Sequence, residues 1–249
     1  MATEVLLSGG SAGGLSTFLH ADYVRSLFGE EVKFGAAPVS GFFLMHNTAQ
    51  GLNQYPANME YVYHMMNSSG GVNQRCRGSA AAAPAEAWKC IFANYSYAHT
   101  QTPIFPLQSS VDAWQMGAIF ALDKAGASGC TKPVPAPGGG SAHQLENCTA
   151  LQRRAVAQYQ KDFLADLQAS PIFSRPGNGG FVESCIEHVA AQGTAFNTYK
   201  NDASGLTMQE ALTAWWESGL TAPAEKHWQM PCMLHSSGEY GQCNPTCTQ

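Results

Sequence analysis

One serine of the sequence has the neighbours of a covalent nucleophile. Ser11 is the centre of Gly9–Gly13 (GGSAG), between the apolar run Val5–Leu7 and a stretch with helical apolar spacing. A serine in a tight strand-to-helix turn needs such small neighbours, because backbone segments pass close to one another there. A phosphate-binding loop would instead contain Gly-Lys-Ser or Gly-Lys-Thr, which this segment lacks. We therefore predict that Ser11 is a nucleophile and that the N–H of Ala12 is one donor to the oxyanion.

A serine hydroxyl becomes an effective nucleophile when a histidine acts as its base and an acid orients that histidine. In α/β-hydrolases the acid and then the histidine follow the serine, on loops after later strands. Asp112 follows the apolar run Pro103–Gln108, and His188 follows the run Phe181–Cys185, so both fit that order. Spacing alone leaves competitors open, which are His143, His227 and His235 for the base and Asp123 and Asp202 for the acid.

Alternating strand and helix patterns supply the elements that must hold these residues. Short apolar runs predict strands at Val5–Leu7, Pro103–Gln108 and Phe181–Val182. Apolar residues spaced by three and four predict helices over Ala12–Phe28, Ala113–Leu122, Thr149–Leu167 and Thr207–Ser218. Residues 77–87 and 125–147 carry the small residues and prolines of surface loops. The alternation favours an α/β fold, in which helices flank a sheet.

The composition excludes several classes of protein. The chain has 249 residues, of which 45% are hydrophobic and 12% are charged, and its formal net charge is −5. This length predicts a single domain over residues 1–249. A nucleic-acid binder would have a basic stripe, which the sequence lacks, and no apolar run reaches the roughly 18 residues of a membrane helix. We expect a monomer without a nucleic-acid partner or a transmembrane segment.

Cysteines and glycosylation sequons predict an oxidising, secretory compartment. The cysteines number eight, and none has the spacing of zinc ligands. Local disulfides are plausible for Cys76 with Cys90 and for Cys130 with Cys148, and a cross-linked tail for the segment with Cys243 and Cys247. Asn-x-Ser/Thr sequons begin at Asn67, Asn94 and Asn147. We expect a secreted or cell-wall protein whose signal peptide lies upstream of Met1, since none follows Met1.

Three separated segments carry a resemblance to a known family. These segments are VLLSGGSAGGLSTFLHADYV, then Thr102–Phe105 with Ser110–Met116, then Gly180–His188. Together with the Cys-Asn-Pro-Thr-Cys tail they resemble the pectin acetylesterase family. That family includes the Notum-type carboxylesterases, which remove a fatty acyl group from a secreted signalling protein. Gly10 and Val189 depart from the resemblance, because plant members have cysteines at both positions.

The resemblance implies an α/β-hydrolase fold and a triad of Ser11, His188 and Asp112 that hydrolyses esters without a metal ion or an organic cofactor. The implied substrate is an O-acetyl ester of a cell-wall polysaccharide such as pectin. Two alternatives stay open: a fatty-acyl esterase of the Notum type, and a non-catalytic secreted protein with an incomplete site. Trp114, two residues after Asp112, is expected to pack near the site.

The resemblance also implies a long segment before the serine turn. We therefore expect this chain to be the C-terminal part of an α/β-hydrolase domain, without its N-terminal strands, and Met1 to be an internal methionine of a longer protein. The loop that supplies the second oxyanion donor in such folds would lie in that segment.

Overall fold

Five parallel strands form the sheet that carries the predicted site. The computed structural model describes residues 2–79, 83–122, 130, 133–135, 141–143, 148–170, 174–223, 225–228, 233–234 and 237–247. The strands lie side by side in the order β1 (Glu4–Gly10), β2 (Lys33–Val39), β3 (Leu107–Ser109), β6 (Gly179–Glu183) and β7 (Glu225–Trp228). Two hairpins lie apart from this sheet, β4 (Pro133–Pro135) with β5 (Ser141–His143) and β8 (Met233–Leu234) with β9 (Glu239–Tyr240). The carboxyl ends of the parallel strands therefore meet at one edge, where ligands bind in open α/β sheets.

Helices connect the strands. They are α1 (Ala12–Arg25), α2 (Gln54–Met65), α3 (Gln74–Ser79), α4 (Ala93–Tyr97), α5 (Ala113–Ala118), α6 (Ala150–Ala169), α7 (Ala195–Thr198) and α8 (Met208–Glu217). A capping box starts each of the helices α6 and α8. Thr149 pairs with Gln152 at the start of α6, and Thr207 pairs with Glu210 at the start of α8. Within the described ranges, every helix is too short or too polar to cross a membrane.

The sheet has an apolar core on each face. Neighbouring residues of a strand point to opposite faces, and in β6 Phe181 belongs to one buried cluster while Val182 belongs to the other. Phe163 of α6 packs in the cluster with Val182, and Trp215 of α8 packs in the cluster with Phe181. Trp215 is 1% exposed, and its indole N–H donates to the carbonyl of Gly177 at 2.8 Å. The α/β prediction is therefore confirmed, with a helical layer on either side of the sheet.

Two predicted elements differ in their bounds. The predicted strand Pro103–Gln108 is interrupted, with Ile104 in an isolated bridge to Ala36 before β3 begins at Leu107. Proline lacks the N–H that a continuous ladder needs, and this segment contains two prolines. The helix predicted over Ala113–Leu122 ends at Ala118, because the Phe120 N–H turns back to the Gln115 carbonyl and residue 121 has a positive φ of 52°.

The predicted loops contain more regular structure than expected. Residues 77–79 close α3, residues 84–87 begin the 3₁₀ helix Pro84–Ile91, and 125–147 includes the β4–β5 hairpin. Helix α2 was missed because its large apolar residues do not form a buried stripe; Tyr61 is 66% exposed and Met65 is 56% exposed.

The disulfides Cys76–Cys90 and Cys130–Cys148 confirm the two local pairings, and Cys247 pairs with Cys185.

A buried carboxyl group closes the carboxyl end of β6. Glu183 is 1% exposed, and its Oε2 accepts a hydrogen bond from the Cys185 N–H. Its other oxygen has no hydrogen-bond partner. Burial raises the pKa of Glu183 well above its ordinary value, with further repulsion from the nearby charges of Glu187 and Asp112. The folded protein therefore favours the neutral form of Glu183 more strongly than the unfolded chain does.

We predict that Glu183→Gln stabilises the protein relative to wild type as pH rises above about 4.5, the ordinary pKa of the side chain. A raised folded-state pKa favours folding at low pH, and that advantage is lost as pH rises toward the folded value, by up to about 1.4 kcal/mol per pH unit. Glutamine mimics the neutral acid at every pH. Urea unfolding of both proteins from pH 4 to 8 measures the difference, and exposed Glu30→Gln is the control. Parallel pH profiles for wild type and Glu183→Gln would contradict an ionisation penalty at this position.

Candidate active site

The turn between β1 and α1 presents Ser11 in a strained conformation. Ser11 has φ 57° and ψ −121°, a region that side-chain-bearing residues rarely adopt. The small neighbours are needed for close backbone contacts on the α1 side. A Cβ on Gly9 would lie 2.6 Å from the carbonyl oxygen of Gly13, and one on Gly41 would lie 2.1 Å from the carbonyl carbon of Gly14. The glycines thus let α1 start directly against the ends of β1 and β2.

The structure brings Ser11, His188 and Asp112 together in one chain of hydrogen bonds. The distance from Ser11 Oγ to His188 Nε2 is 2.8 Å, and the distance from His188 Nδ1 to Asp112 Oδ2 is 2.7 Å. When Asp112 is ionised its carboxylate can only accept, and in that state Nδ1 carries the proton and Nε2 accepts from the serine hydroxyl. This is the arrangement in which a neutral histidine can take the serine proton.

Asp112 is held rigidly by its position at the start of α5. Its Oδ1 accepts from the Gln115 N–H at 3.0 Å as the N-cap of the helix, which leaves Oδ2 for His188. Asp112 is 1% exposed, and this burial raises its pKa, while the hydrogen bond from His188 acts in the opposite direction.

The loop after β6 fixes the position of His188 from both sides. Before the histidine, the Glu187 carbonyl accepts from the Ala113 N–H at 3.2 Å. After the histidine, the Val189 N–H donates to Ser40 Oγ at 2.9 Å. The Cys185–Cys247 disulfide ties the start of the same loop to the C-terminal segment. His188 is therefore attached to α5, to the end of β2 and to the tail.

Two buried glutamines support the segment after β2, and neither was predicted to have a role in the site. Gln108 Oε1 accepts from the Phe42 N–H at 3.1 Å. Gln115 Oε1 accepts from the Leu44 N–H at 3.1 Å and from the Tyr159 hydroxyl at 2.8 Å. The sequence signal that could have indicated them is a polar residue inside a predicted apolar strand or helix. In the structure Gln108 is 2% exposed and Gln115 is fully buried. The two amides hold the loop that carries Phe43 toward the site.

Aromatic side chains surround His188. The Trp114 ring lies 6.2 Å from the imidazole centroid at an interplanar angle of 28°, and the Phe43 ring lies 6.4 Å away. Phe43 and Trp114 contact each other at 5.0 Å between centroids. The prediction that Trp114 packs near the site is confirmed. Trp114 is also 41% exposed, so part of its ring is open to a ligand.

Ala12 is the first residue of α1, as predicted. Its N–H is one of the four N-terminal groups that have no acceptor within the helix, and it directly follows Ser11. The positive end of the helix dipole lies at the same point and favours a developing negative charge. These features suit an oxyanion donor.

The competing residues lie elsewhere or outside the described side chains. The His227 ring contacts Ser204 Oγ at 3.1 Å and packs near Phe181, and Asp202 lies in an exposed turn. His143 belongs to β5 with no described side chain, and His235 and Asp123 lie outside the described residues.

In the described part of the chain, one group of side chains has metal-ligating atoms close together: Glu183, Cys185 and Cys247. Both of its sulfurs are joined in a disulfide and offer no thiolate.

Comparisons with known proteins agree with this architecture. Pectin acetylesterase 11 of Arabidopsis thaliana is 26% identical over 250 residues, which cover 99% of this chain and 57% of the relative. Pectin acetylesterase 7 of the same plant is 23% identical over 201 residues, covering 81% and 47%. This chain thus spans about half the length of these curated relatives.

A solved structure of the Wnt deacylase Notum from Drosophila superposes with a TM-score of 0.70 and 21% identity, covering 99% of this chain and 59% of that one. This likeness shows the α/β-hydrolase-like fold. The sequence model of the family described as Pectinacetylesterase matches residues 1–247. The chain therefore belongs to the pectinacetylesterase family.

Proposed function

We propose that the protein is a serine esterase that releases acetate from O-acetyl groups of a cell-wall polysaccharide such as pectin. The observation that carries this proposal is the hydrogen-bonded series from Ser11 through His188 to Asp112, in a chain that the family model matches over residues 1–247. The substrate class follows the names of the curated relatives, which are pectin acetylesterases.

The proposed reaction has two acyl-transfer steps. Ser11 Oγ attacks the acetyl carbonyl while His188 Nε2 accepts its proton, and the Ala12 N–H stabilises the oxyanion. Asp112 keeps the proton on Nδ1 and stabilises the imidazolium. His188 then protonates the departing sugar oxygen. In the second step water loses a proton to His188 and attacks the acetyl-serine, and His188 returns this proton to Ser11 Oγ as acetate leaves.

The surroundings of His188 support a carbohydrate as the alcohol part of the ester. Sugar rings present C–H faces that pack against aromatic rings, and the partly exposed Trp114 ring lies beside the imidazole that must protonate the leaving alcohol. Three disulfides among the described residues are consistent with an oxidising, extracellular setting. We propose secretion on this ground.

We predict that a fluorophosphonate adds once to the protein and that Ser11→Ala abolishes the adduct. Only a serine activated by a neighbouring base reacts readily with this reagent. Intact mass spectrometry of the disulfide-bonded protein measures the adduct, and Ser8→Ala, on the strand β1 that precedes Ser11, is the matched control. An unlabelled, folded wild-type protein would favour the non-catalytic alternative.

We predict that Asp112→Asn lowers kcat by about 10³–10⁴-fold, because an amide favours the wrong histidine tautomer and cannot stabilise the imidazolium. Asparagine is as good an N-cap as aspartate, so α5 should be retained. Steady-state hydrolysis of 4-nitrophenyl acetate, with circular dichroism as the folding check, measures this loss. Asp202→Asn, the competing acid, should change kcat less than twofold. A large loss in Asp202→Asn with none in Asp112→Asn would transfer the acid role to Asp202.

We predict that kcat/KM for 4-nitrophenyl esters falls by at least about tenfold from acetate to octanoate, as expected when a short acyl group is the natural substrate. The same preparation should release acetate from acetylated pectin. Wild type and Ser11→Ala are compared to remove background hydrolysis. A preference for octanoate without acetate release from pectin would support the fatty-acyl alternative instead.

A further inference from the structure

The side chain of Gln192 lies against the residue that precedes the nucleophile. A Cβ added to Gly10 would be 2.1 Å from Gln192 Nε2 and 2.8 Å from its Oε1. The carboxamide therefore occupies the space that a side chain at residue 10 would fill. Gln192 is exposed, and no described residue hydrogen-bonds its carboxamide. An amide with no hydrogen-bond partner among the described residues thus lies against Gly10, the residue before Ser11, with its donor and acceptor groups available.

The backbone holds Gln192 in this position. It is the last residue of the 3₁₀ turn Ala190–Gln192, and its N–H donates to the Val189 carbonyl at 2.8 Å. Val189 has φ 58°, and its own N–H is bound to Ser40 Oγ. Ala190 is buried in the apolar cluster of the α8 face. The same loop that presents His188 thus presents Gln192.

Gln192 and the oxyanion donor lie on opposite sides of β1. The Gly9 position faces α1, because a Cβ there would meet Gly13, and the next residue of a strand points the other way. Gln192 is therefore on the side of β1 away from α1, whereas Ala12 begins α1. The carboxamide is thus placed to contact a part of the ester other than the carbonyl oxygen.

We propose that Gln192 is a specificity-determining residue whose carboxamide hydrogen-bonds the hydroxyl groups of the saccharide alcohol. This inference rests on the proposed esterase function. A carboxamide has two donors and one acceptor, and a sugar hydroxyl both donates and accepts, so the groups are complementary. The acetyl methyl offers no such partner. Gly10 is required because any larger residue would displace the carboxamide.

The test compares an O-acetylated galacturonic acid oligomer with 4-nitrophenyl acetate, which has no hydroxyl group. The measured quantity is the ratio of kcat/KM for the saccharide to kcat/KM for the aryl ester. Gln192→Ala should lower this ratio about tenfold, as expected for the loss of one or two hydrogen bonds. Gly10→Ala should lower it similarly, because the new Cβ displaces Gln192. Alanine fits this backbone, since Gly10 has no positive φ.

The double variant Gly10→Ala/Gln192→Ala should show no further fall, because both changes remove the same contact. Gln158→Ala, on the exposed side of α6, is the matched control and should keep the wild-type ratio. An unchanged ratio in Gln192→Ala, or additive losses in the double variant, would overturn the role of Gln192 while the esterase proposal stands. A wild-type protein that hydrolyses neither ester would overturn the esterase proposal, and the role of Gln192 with it.

Discussion

The site depends on three residues held in left-handed backbone conformations at the carboxyl edge of the sheet. Ser11, Ser40 and Val189 have φ values of 57°, 48° and 58°, and none is glycine. Each such conformation costs on the order of 1–3 kcal/mol, so contacts must compensate for it. Hydrogen bonds link the three segments: the Ser11 N–H donates to the carbonyl of Val39, which precedes Ser40, and the Val189 N–H donates to Ser40 Oγ. The strained residues thus support one another, and together they fix the separation of Ser11 and His188.

The electrostatics of the site follow from burying several acids around one imidazole. Burial raises the pKa values of Asp112, Glu183 and Glu187. Only Asp112 is hydrogen-bonded to His188, and it is the one that also accepts from a helix N-terminus. Glu183 supports the loop by accepting from the Cys185 N–H, and burial favours its neutral form. Among these three acids, Asp112 is therefore the one that contacts the imidazole directly.

Much of this architecture could be predicted from sequence, because local rules govern it. Apolar periodicity gave α1, α6 and α8 to within three residues at either end, and small-residue spacing gave the Ser11 turn. The supporting residues Gln108 and Gln115 could not be found this way, because their roles depend on backbone groups 66 to 73 residues away. The Gln192 contact was also missed, since it depends on the absence of a side chain at Gly10. Contacts that join distant segments leave little local signal.

The C-terminal segment has a structural role in the site that its sequence alone does not suggest. The Tyr240 hydroxyl donates to the Ser184 carbonyl at 2.5 Å, and the next residue, Cys185, is bonded to Cys247. Glu239 accepts from Arg153 of α6 at 2.7 Å, and this contact anchors the same C-terminal segment to α6. Because residues 184 and 185 lead directly into the loop of His188, the tail limits how far that loop can move. The position of His188 is thus set by contacts far from it in sequence, and its 2.8 Å distance to Ser11 Oγ depends on them.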